Sequence, residues 1–314
     1  MSLLVGVVVP THGAGAHLAE TLDSVAAQTF TDWRLIVVSD GGSPDALGVA
    51  RRLAERDPRV EVIAQARAGV AAARNRGLEQ LRGRVDAIAL LDHDDRWLTD
   101  TLARLTAALS LAAPGIIGVH GLGRFIDARG LPLRPGEMED HLRRRLGIDG
   151  RRLRPWPQDR PTGFANLAFS NCIPVGSALV RSAAFDRVGS FDLRAVPADD
   201  YDMWTRLARI GDFAFIDEIV MEYRRGDAPT WQRPRGGVAF VRRKTLASPD
   251  NTPDQARLAR RGYRLSERWT VAHALRQAAA LARRRDIHAA ARQLARAALH
   301  TAAYLRGAPV GDGD

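Results

Sequence analysis

Three aspartates occupy the four positions from Asp92 to Asp95, with His93 among them. They follow the apolar run 85–91, which has the length of a buried parallel strand, so they should emerge at the carboxyl edge of a sheet, where ligands bind. Carboxylates this close repel one another unless a cation lies among them. Mg²⁺ or Mn²⁺ is the expected cation, because both prefer carboxylate and phosphate oxygens. The alternative is a solvated acidic turn before the next helix.

Two further acidic positions must be placed relative to this cluster. Asp40 follows the run 33–39, a second predicted strand, and the ends of parallel strands meet at one edge of a sheet, so both positions can converge on one ligand. Asp199 and Asp200 begin a predicted helix and can approach from the opposite side. Acids at a helix start also offset the helix dipole and cap free N–H groups, so capping is the alternative explanation for this pair.

The elements that must position these acids alternate along the chain. Apolar, β-branched runs predict strands, and apolar residues at every third or fourth position predict helices. Such alternation is typical of an α/β fold with a mainly parallel central sheet flanked by helices. The predicted strands are 3–10, 33–39, 60–64, 85–91, 115–126 and 213–223, with a further extended, buried segment at 171–181, and the predicted helices are 17–27, 44–56, 70–81, 99–111, 183–188 and 199–210.

Composition indicates a globular protein without disulfides. The 314 residues are 46% hydrophobic, which is enough for a sizeable core. Cys172 is the single cysteine, which excludes an intramolecular disulfide and a cysteine-based zinc site. No run approaches the roughly 20 apolar residues of a membrane span, and the N-terminus leads directly into a strand, so we expect a cytoplasmic protein.

The positive charge is concentrated in the C-terminal quarter. Residues 236–314 contain 15 Lys and Arg against 6 Asp and Glu, whereas residues 1–235 contain 31 against 30. We therefore separate a main domain, 1–235, from a basic, Ala- and Arg-rich helical appendage, 236–314. The appendage either packs on the domain with arginine toward water or contacts an anionic membrane, which would place the protein peripherally at the inner face. Nucleic acid is not an expected partner, since no aromatic platform is interleaved with the arginines.

Residues 127–170 interrupt the alternating pattern with five prolines and two arginine-rich pieces. A long irregular segment inside a domain is usually functional or mobile. We expect it to lie over the ligand cleft as a mobile loop with a short helix at 140–146. A solvated insertion without substrate contact is the alternative.

Six short segments form an ordered set of motifs: VVVPTH at 7–12, LDSVAAQT at 22–29, VVSDGGS at 37–43, AGVAAARNRG at 68–77, LDHDDRW at 91–97 and DDYDMWTRL at 199–207. In this order they resemble the motifs of the family 2 glycosyltransferases, which have a GT-A fold. The resemblance covers about residues 5–225. Each motif alone is weak, but six in the right order are specific.

This resemblance implies transfer of a single sugar, with inversion, from a nucleotide-diphosphate sugar to an acceptor hydroxyl. The acceptor would be a glycan, a lipid-linked or a small molecule, in the synthesis of cell-surface polysaccharide, glycolipid or another glycoconjugate. It also implies a GT-A-like catalytic domain with a nucleotide-binding half at 1–97 and an acceptor half at 98–235, and a divalent Mg²⁺ or Mn²⁺ cofactor. The Q-x-x-R-W element of processive synthases is missing, which favours single addition.

The resemblance places the donor site at the ends of the first strands. In the family, the aspartate after the second strand, here Asp40, faces the nucleotide base, and Arg74 would approach the base or the diphosphate. Arg67 stands where the family often has asparagine, so the base contacts can differ. The full set implied in nucleotide-sugar binding is Pro10, Thr11, His12, Asp40, Arg67, Arg74, Asp92 and His93.

Metal and catalytic residues are implied in the same way. In the D-x-D element, Asp92 would hold the ribose or the metal and Asp94 the metal, whereas Asp95 would be structural. An inverting reaction needs a base that takes the proton of the acceptor hydroxyl. Asp200 is implied as that base, with Asp199 as the alternative, because a neighbouring carboxylate raises the proton affinity.

A Rossmann-type protein that binds NAD(P) is the alternative function. Gly13 and Gly15 follow the first strand and Asp40 ends the second, as in the dinucleotide-binding fingerprint. Leu18, however, stands at the third glycine position, where a bulky residue prevents close packing of helix on strand. This alternative also assigns no function to the acidic cluster at 92–95 or to Asp199 and Asp200.

Overall fold

The computed structural model describes residues 3–12, 16–225, 236–283 and 286–306. It confirms the predicted alternation, and the helix at 70–81 begins and ends where predicted. The strands are β1 (Val5–Thr11), β2 (Trp33–Asp40), β3 (Val60–Gln65), β4 (Ala87–Leu90), β5 (Arg96–Trp97), β6 (Ile116–Ile126), β7 (Gly147–Asp149), β8 (Arg152–Arg154), β9 (Ala178–Arg181) and β10 (Asp212–Arg224). The helices are α1 (Ala16–Ala26), α2 (Pro44–Ala54), α3 (Val70–Leu81), α4 (Thr101–Ser110), α5 (Glu139–Arg144), α6 (Phe164–Leu167), α7 (Ser182–Val188), α8 (Asp199–Leu207), α9 (Gly236–Ala247), α10 (Pro253–Arg283) and α11 (Ile287–Arg306).

Eight strands form one sheet in the order β3-β2-β1-β4-β9-β6-β10-β5. The strands β3, β2, β1 and β4 are parallel, as the alternating pattern predicts, and β6 is parallel to β10. The strand β9 runs antiparallel between β4 and β6 and joins the two parallel parts. The sheet is therefore mixed. The apolar pattern predicts that the segment forming β9 is extended and buried, but it does not predict the direction of the strand.

Both faces of the sheet are covered. Along β1, Val7 and Val9 belong to one core cluster and Val8 to the other, since alternate side chains of a strand point to opposite faces. The helix α3 packs closely on the Val8 face: a Cβ atom on Gly77 would lie 2.3 Å from Cγ1 of Val8. This close approach sets α3 against β1 and β2.

The segment 127–170 has more regular structure than its sequence suggests. It contains α5, at the position of the predicted short helix, the hairpin β7–β8 and α6, and Ile148 and Phe164 belong to the main core. Arg145 is fully buried and donates a hydrogen bond of 2.9 Å to Oγ1 of Thr162. The segment is therefore partly integrated into the core, while its placement over the cleft stays a prediction.

The C-terminal region consists of the helices α9, α10 and α11, as predicted. Lys244 of α9, the single lysine of the chain, joins this region to the main domain, because its Nζ lies 2.8 Å from carboxylate oxygens of both Asp192 and Asp202. The helix α10 contacts α9, α6 and β7, and α11 packs against α10. Within the described ranges, no helix is both long and apolar enough to cross a membrane.

Candidate functional site

The carboxyl ends of β1 to β4 lie side by side and carry most of the predicted site residues. Strand pairing places Asp40 beside Gln65 and Val8 beside Leu90. The acidic cluster at 92–95 therefore begins two residues beyond the paired part of β4, at the same edge as Asp40. The two acidic positions are at one edge, as expected for neighbouring parallel strands.

His12 is the exposed residue at the end of β1, whereas Pro10 and Thr11 are buried. The ring centroid of His12 lies 5.2 Å from that of His93. Burial, followed by the charges of His93 and Arg67, lowers the pKa of His12. The hydroxyl of Thr11 is buried without a hydrogen-bond partner among the described residues. Of Pro10, Thr11 and His12, His12 is the one whose side chain is open to a ligand.

The carboxylate of Asp40 is buried and is held by the loop that follows β3. Its Oδ1 accepts hydrogen bonds from Nε2 of Gln65 at 2.9 Å and from N of Ala68 at 2.7 Å, and its Oδ2 accepts one from N of Gly69 at 2.8 Å. Burial alone would raise the pKa of Asp40, but these hydrogen bonds outweigh it and lower the pKa. Asp40 thus fixes the loop before α3 and has a lone pair of Oδ2 left for a ligand.

Arg74 of α3 connects the two acidic regions of the sequence. Its Nη2 lies 2.6 Å from Oδ1 of Asp92, and its Nη1 lies 2.5 Å from Oδ2 of Asp199. Burial would lower the pKa of Arg74, but the charges of Asp92, Asp199 and Asp200 raise it. Its Nε is buried and has no partner within the described part of the chain. The guanidinium therefore lies between the acidic cluster and the start of α8.

Asp94 is the carboxylate most available to an external cation. It is partly exposed, and no residue of the described ranges bonds to its carboxylate. Asp92 uses Oδ1 for Arg74, so its Oδ2 remains available. No group of three or more His, Cys, Asp or Glu side chains that could enclose a metal occurs among the described residues. This donor set fits Mg²⁺ or Mn²⁺, because Mg²⁺ typically binds through one or two carboxylates and completes its shell with phosphate oxygens and water.

Asp95 has the surroundings of a structural residue. It is buried, and its Oδ1 accepts the N–H of Arg224 at 2.9 Å. Burial, followed by the charges of Asp94 and Asp92, raises the pKa of Asp95 well above its ordinary value. Arg224 also donates from Nε to the carbonyl of Asp94 at 2.8 Å and from Nη2 to Glu20 at 2.7 Å. The end of β10 thereby holds the acidic turn in place.

Asp199 and Asp200 are the first two residues of α8, and the N-cap position is Ala198, which makes no side-chain capping hydrogen bond. Oδ1 of Asp200 accepts the N–H of Tyr201 at 2.7 Å, so Asp200 satisfies one free N–H group of the first turn, as the capping alternative expects. Asp199 is 2% exposed and paired with Arg74, whereas Asp200 is partly exposed. Asp200 is therefore the member of the pair that is accessible to solvent.

The pKa of Asp200 is raised to about 7. Burial is the largest cause and the charge of Asp199 the next, while Arg74 acts in the opposite direction. Asn171 donates from Nδ2 to Oδ2 of Asp200 at 3.0 Å, and its own Oδ1 accepts the N–H of Ile173 at 3.1 Å, which orients the amide. A carboxylate that titrates near neutral pH can take a proton from a hydroxyl.

Three supporting residues escape sequence reasoning: Gln65, Asn171 and Arg224. Each lies far along the chain from the aspartate that it contacts, and no motif spacing links them. For Arg224, the sequence offers one signal, its position at the end of the last predicted strand. That position by itself does not indicate a contact with Asp95.

Sequence relatives point to one family. A model of glycosyl transferase family 2 matches residues 6–170, more than half of the chain. EpsJ of Bacillus subtilis, an uncharacterized glycosyltransferase, is 36% identical over 116 residues, which are 37% of this chain and 33% of EpsJ. TuaG of Bacillus subtilis, a putative teichuronic acid biosynthesis glycosyltransferase, is 32% identical over 102 residues, which are 32% of this chain and 40% of TuaG. This chain therefore matches 33% of the length of EpsJ and 40% of the length of TuaG.

Solved structures resemble nearly the whole chain. S. aureus TarS 1-349 in complex with UDP-GlcNAc has a TM-score of 0.59 at 14% identity, over 97% of this chain and 92% of that chain. The mannosyltransferase PcManGT of Pyrobaculum calidifontis, in complex with GDP-Man and Mn²⁺, has a TM-score of 0.53 at 20% identity, over 97% and 88%. These likenesses confirm the predicted GT-A-like α/β fold.

The dinucleotide-binding alternative is not favoured. Its glycines, Gly13 and Gly15, lie outside the described residues, and Leu18, at the position of the third glycine, is fully buried. The family model, by contrast, covers more than half of the chain and includes the acidic turn after β4. On that coverage, the chain belongs to glycosyl transferase family 2.

Proposed function

We propose that the protein is an inverting glycosyltransferase that moves a single sugar from a nucleotide-diphosphate sugar to an acceptor hydroxyl. Family membership supports sugar transfer, and the neighbours solved with UDP-GlcNAc and GDP-Man support a nucleotide-diphosphate donor. The name of TuaG supports a role in cell-surface polysaccharide synthesis, and glycolipid or other glycoconjugate acceptors have the same hydroxyl chemistry.

The position of Arg74 between Asp92 and Asp199 carries this proposal. One terminal nitrogen of Arg74 contacts the turn after β4, and the other contacts the first residue of α8, so a single guanidinium separates the proposed donor edge from the proposed base. An inverting displacement needs this proximity, because the acceptor oxygen must be activated while it faces the sugar of the bound donor.

Asp200 is the proposed base, and Asp199 would raise its pKa and hold Arg74. The proposed nucleotide contacts are the exposed side chains His12 and Arg67 and the free lone pair of Asp40. In this scheme, residues 1–97 bind the donor and residues 98–235 bind the acceptor, with part of 127–170 over the cleft.

Asp94, together with Asp92, would hold a divalent Mg²⁺ or Mn²⁺. When bound, the ion neutralises the charge that develops on the diphosphate as the sugar bond breaks. The partner-free carboxylate of Asp94 in the described part of the chain supports this assignment, as does the Mn²⁺ in the PcManGT structure.

Replacement of Asp200 tests the proposal. Asp200→Asn should lower turnover by about 10²–10⁴-fold, because the amide cannot accept the acceptor's proton, while the affinity for the donor should change little. The turnover is measured with a panel of UDP- and GDP-sugars and Mn²⁺, with water or a hydroxyl compound as acceptor. The affinity for the donor is measured by calorimetry.

Asp192→Asn is the matched control, because Asp192 precedes α8 and pairs with Lys244 rather than with a site residue. Unchanged turnover in Asp200→Asn would rule out the proposed base. Retention of the anomeric configuration in the product, read by NMR, would exclude inversion. Metal-independent binding of NAD without binding of any nucleotide sugar would overturn the proposal as a whole.

A further inference from the structure

In the hairpin formed by α10 and α11, several large apolar side chains face outward, whereas Leu258 and Leu265 of α10 pack against the main core. Between the helices lie the buried side chains of Ala274, Ala278, Ala290 and Ala297. A helix pair stabilised by its own packing would place its larger apolar residues there instead. Of the nine large hydrophobic side chains that are exposed in the described ranges, five belong to this hairpin, each 47–65% exposed: Trp269, Leu275, Ile287, Leu294 and Leu299.

Arginines lie among these exposed apolar residues. Arg264, Arg268 and Leu275 share one side of α10, because they are separated by four and seven positions, and Arg276 and Arg283 are exposed next to them. None of these arginines forms an ion pair with another described residue.

Acidic residues do not balance this charge. From 253 to 306 the sequence contains 12 arginines and 3 acidic residues. Of the acids, Glu267 is buried and lies 2.6 Å from Nδ1 of His300, and Asp286 accepts the N–H of Ala289 at the start of α11. The solvent-exposed surface of the hairpin, called here its outer face and defined by the five exposed apolar residues and the exposed arginines of α10, is therefore both apolar and strongly positive.

We propose that this outer face binds the surface of an anionic lipid bilayer. The arginines complement anionic headgroups. The leucine and isoleucine side chains can enter the boundary between headgroups and acyl chains, and tryptophan side chains favour that boundary. A second copy of the chain is a poorer occupant, because two faces with this excess of arginine repel each other. The proposal does not depend on the sugar-transfer activity.

Vesicle co-sedimentation of the full chain tests this surface. The protein should bind vesicles of phosphatidylcholine with phosphatidylglycerol and not vesicles of phosphatidylcholine alone, and high salt should weaken the binding. Arg268→Glu with Arg276→Glu should reduce the affinity at least about tenfold, because each basic residue near an anionic surface contributes about fivefold. Leu294→Gln with Leu299→Gln should also reduce it without lowering the unfolding temperature, since both side chains are exposed.

The matched control is Arg51→Glu with Arg52→Glu, which makes the same change of charge on the exposed end of α2 and should leave binding unchanged. Equal binding to both kinds of vesicle, no binding to either, or an equal loss in the control would overturn the proposal. A lipid-free dimer in sedimentation velocity that Leu294→Gln dissociates would also overturn it and assign the face to a second copy.

Discussion

Asp199 and Asp200 are chain neighbours of the same residue type, yet their surroundings differ. Asp199 is buried and paired with Arg74, so its charge is compensated, whereas burial and then the charge of Asp199 raise the pKa of Asp200. Because the pKa of Asp200 is about 7 in the folded protein and about 4 in an unfolded chain, the folded state binds more protons between these values. The contribution of Asp200 to stability therefore falls as pH rises through this window.

The same pKa predicts a pH dependence of catalysis. Since the proposed base, Asp200, must be ionised, kcat/KM should fall as pH drops below about 7. Asn171→Ala removes a hydrogen bond that favours the charged form, so the pKa of Asp200 should rise and the acid limb should shift upward by about 0.5 to 1 pH unit. A pH profile of kcat/KM for both proteins measures the shift.

Asn75→Ala provides the control for this experiment. Asn75 also bonds through its side chain, but to the backbone of Phe191 and not to Asp200. Its profile should keep the acid limb of the unmodified protein. Identical profiles for Asn171→Ala and Asn75→Ala would contradict the assigned role of Asn171.

The helix α3 is the element that brings Arg74 to both acidic regions. It can do so because Gly77, one turn beyond Arg74, lets the helix approach Val8 of β1. The loop before α3 is held in addition by Asp40. The position of the guanidinium therefore depends on a close contact between helix and strand.

Gly77→Ala tests this contact. The added Cβ would lie 2.3 Å from a branched side chain of the core, so we expect a loss of about 1–3 kcal/mol in the free energy of unfolding and a drop in turnover as Arg74 moves. Gly48→Ala in α2 is the matched control, because its Cβ would meet only the flexible end of Arg52, at 3.3 Å, and alanine favours a helix by about 0.8–1 kcal/mol. Equal effects of the two substitutions in denaturant unfolding would refute the close contact.

At the scale of the whole molecule, the site is assembled from distant parts of the chain. The ends of β1 to β4 supply the proposed donor edge, β10 holds the acidic turn through Arg224, and α8 supplies the proposed base. Lys244 of α9 ties the C-terminal helices to Asp202 of α8. A ligand that bridges these parts should stabilise the whole fold.

Thermal unfolding with UDP and Mn²⁺ tests this coupling. A ligand at about 100 times its Kd adds about 2.7 kcal/mol to the free energy of unfolding, so the unfolding temperature should rise with UDP and Mn²⁺ and fall back when a chelator removes the metal. Asp94→Ala should abolish the metal-dependent part of the rise. Asp23→Ala, an exposed position on α1, should retain it. A rise that is the same with and without metal would contradict the assignment of Asp94.

The amino-acid sequence by itself determined the order of elements and the edge at which the acids meet. Apolar periodicity reports local structure, and neighbouring parallel strands end at one edge, so Asp40 and the cluster at 92–95 could be placed together in advance. The ordered motifs were also sufficient to indicate the family, which the match over residues 6–170 shows.

Only the tertiary structure decided the contacts between distant segments. Arg74 meets Asp199 across 125 positions, Asn171 orients Asp200, and β9 enters the sheet antiparallel. A local sequence pattern indicates whether a residue is buried or exposed, but it does not indicate which distant segment packs against that residue. The same reason explains the hairpin of α10 and α11. The sequence predicts that this region is helical, but it does not predict that five of its large apolar side chains are exposed.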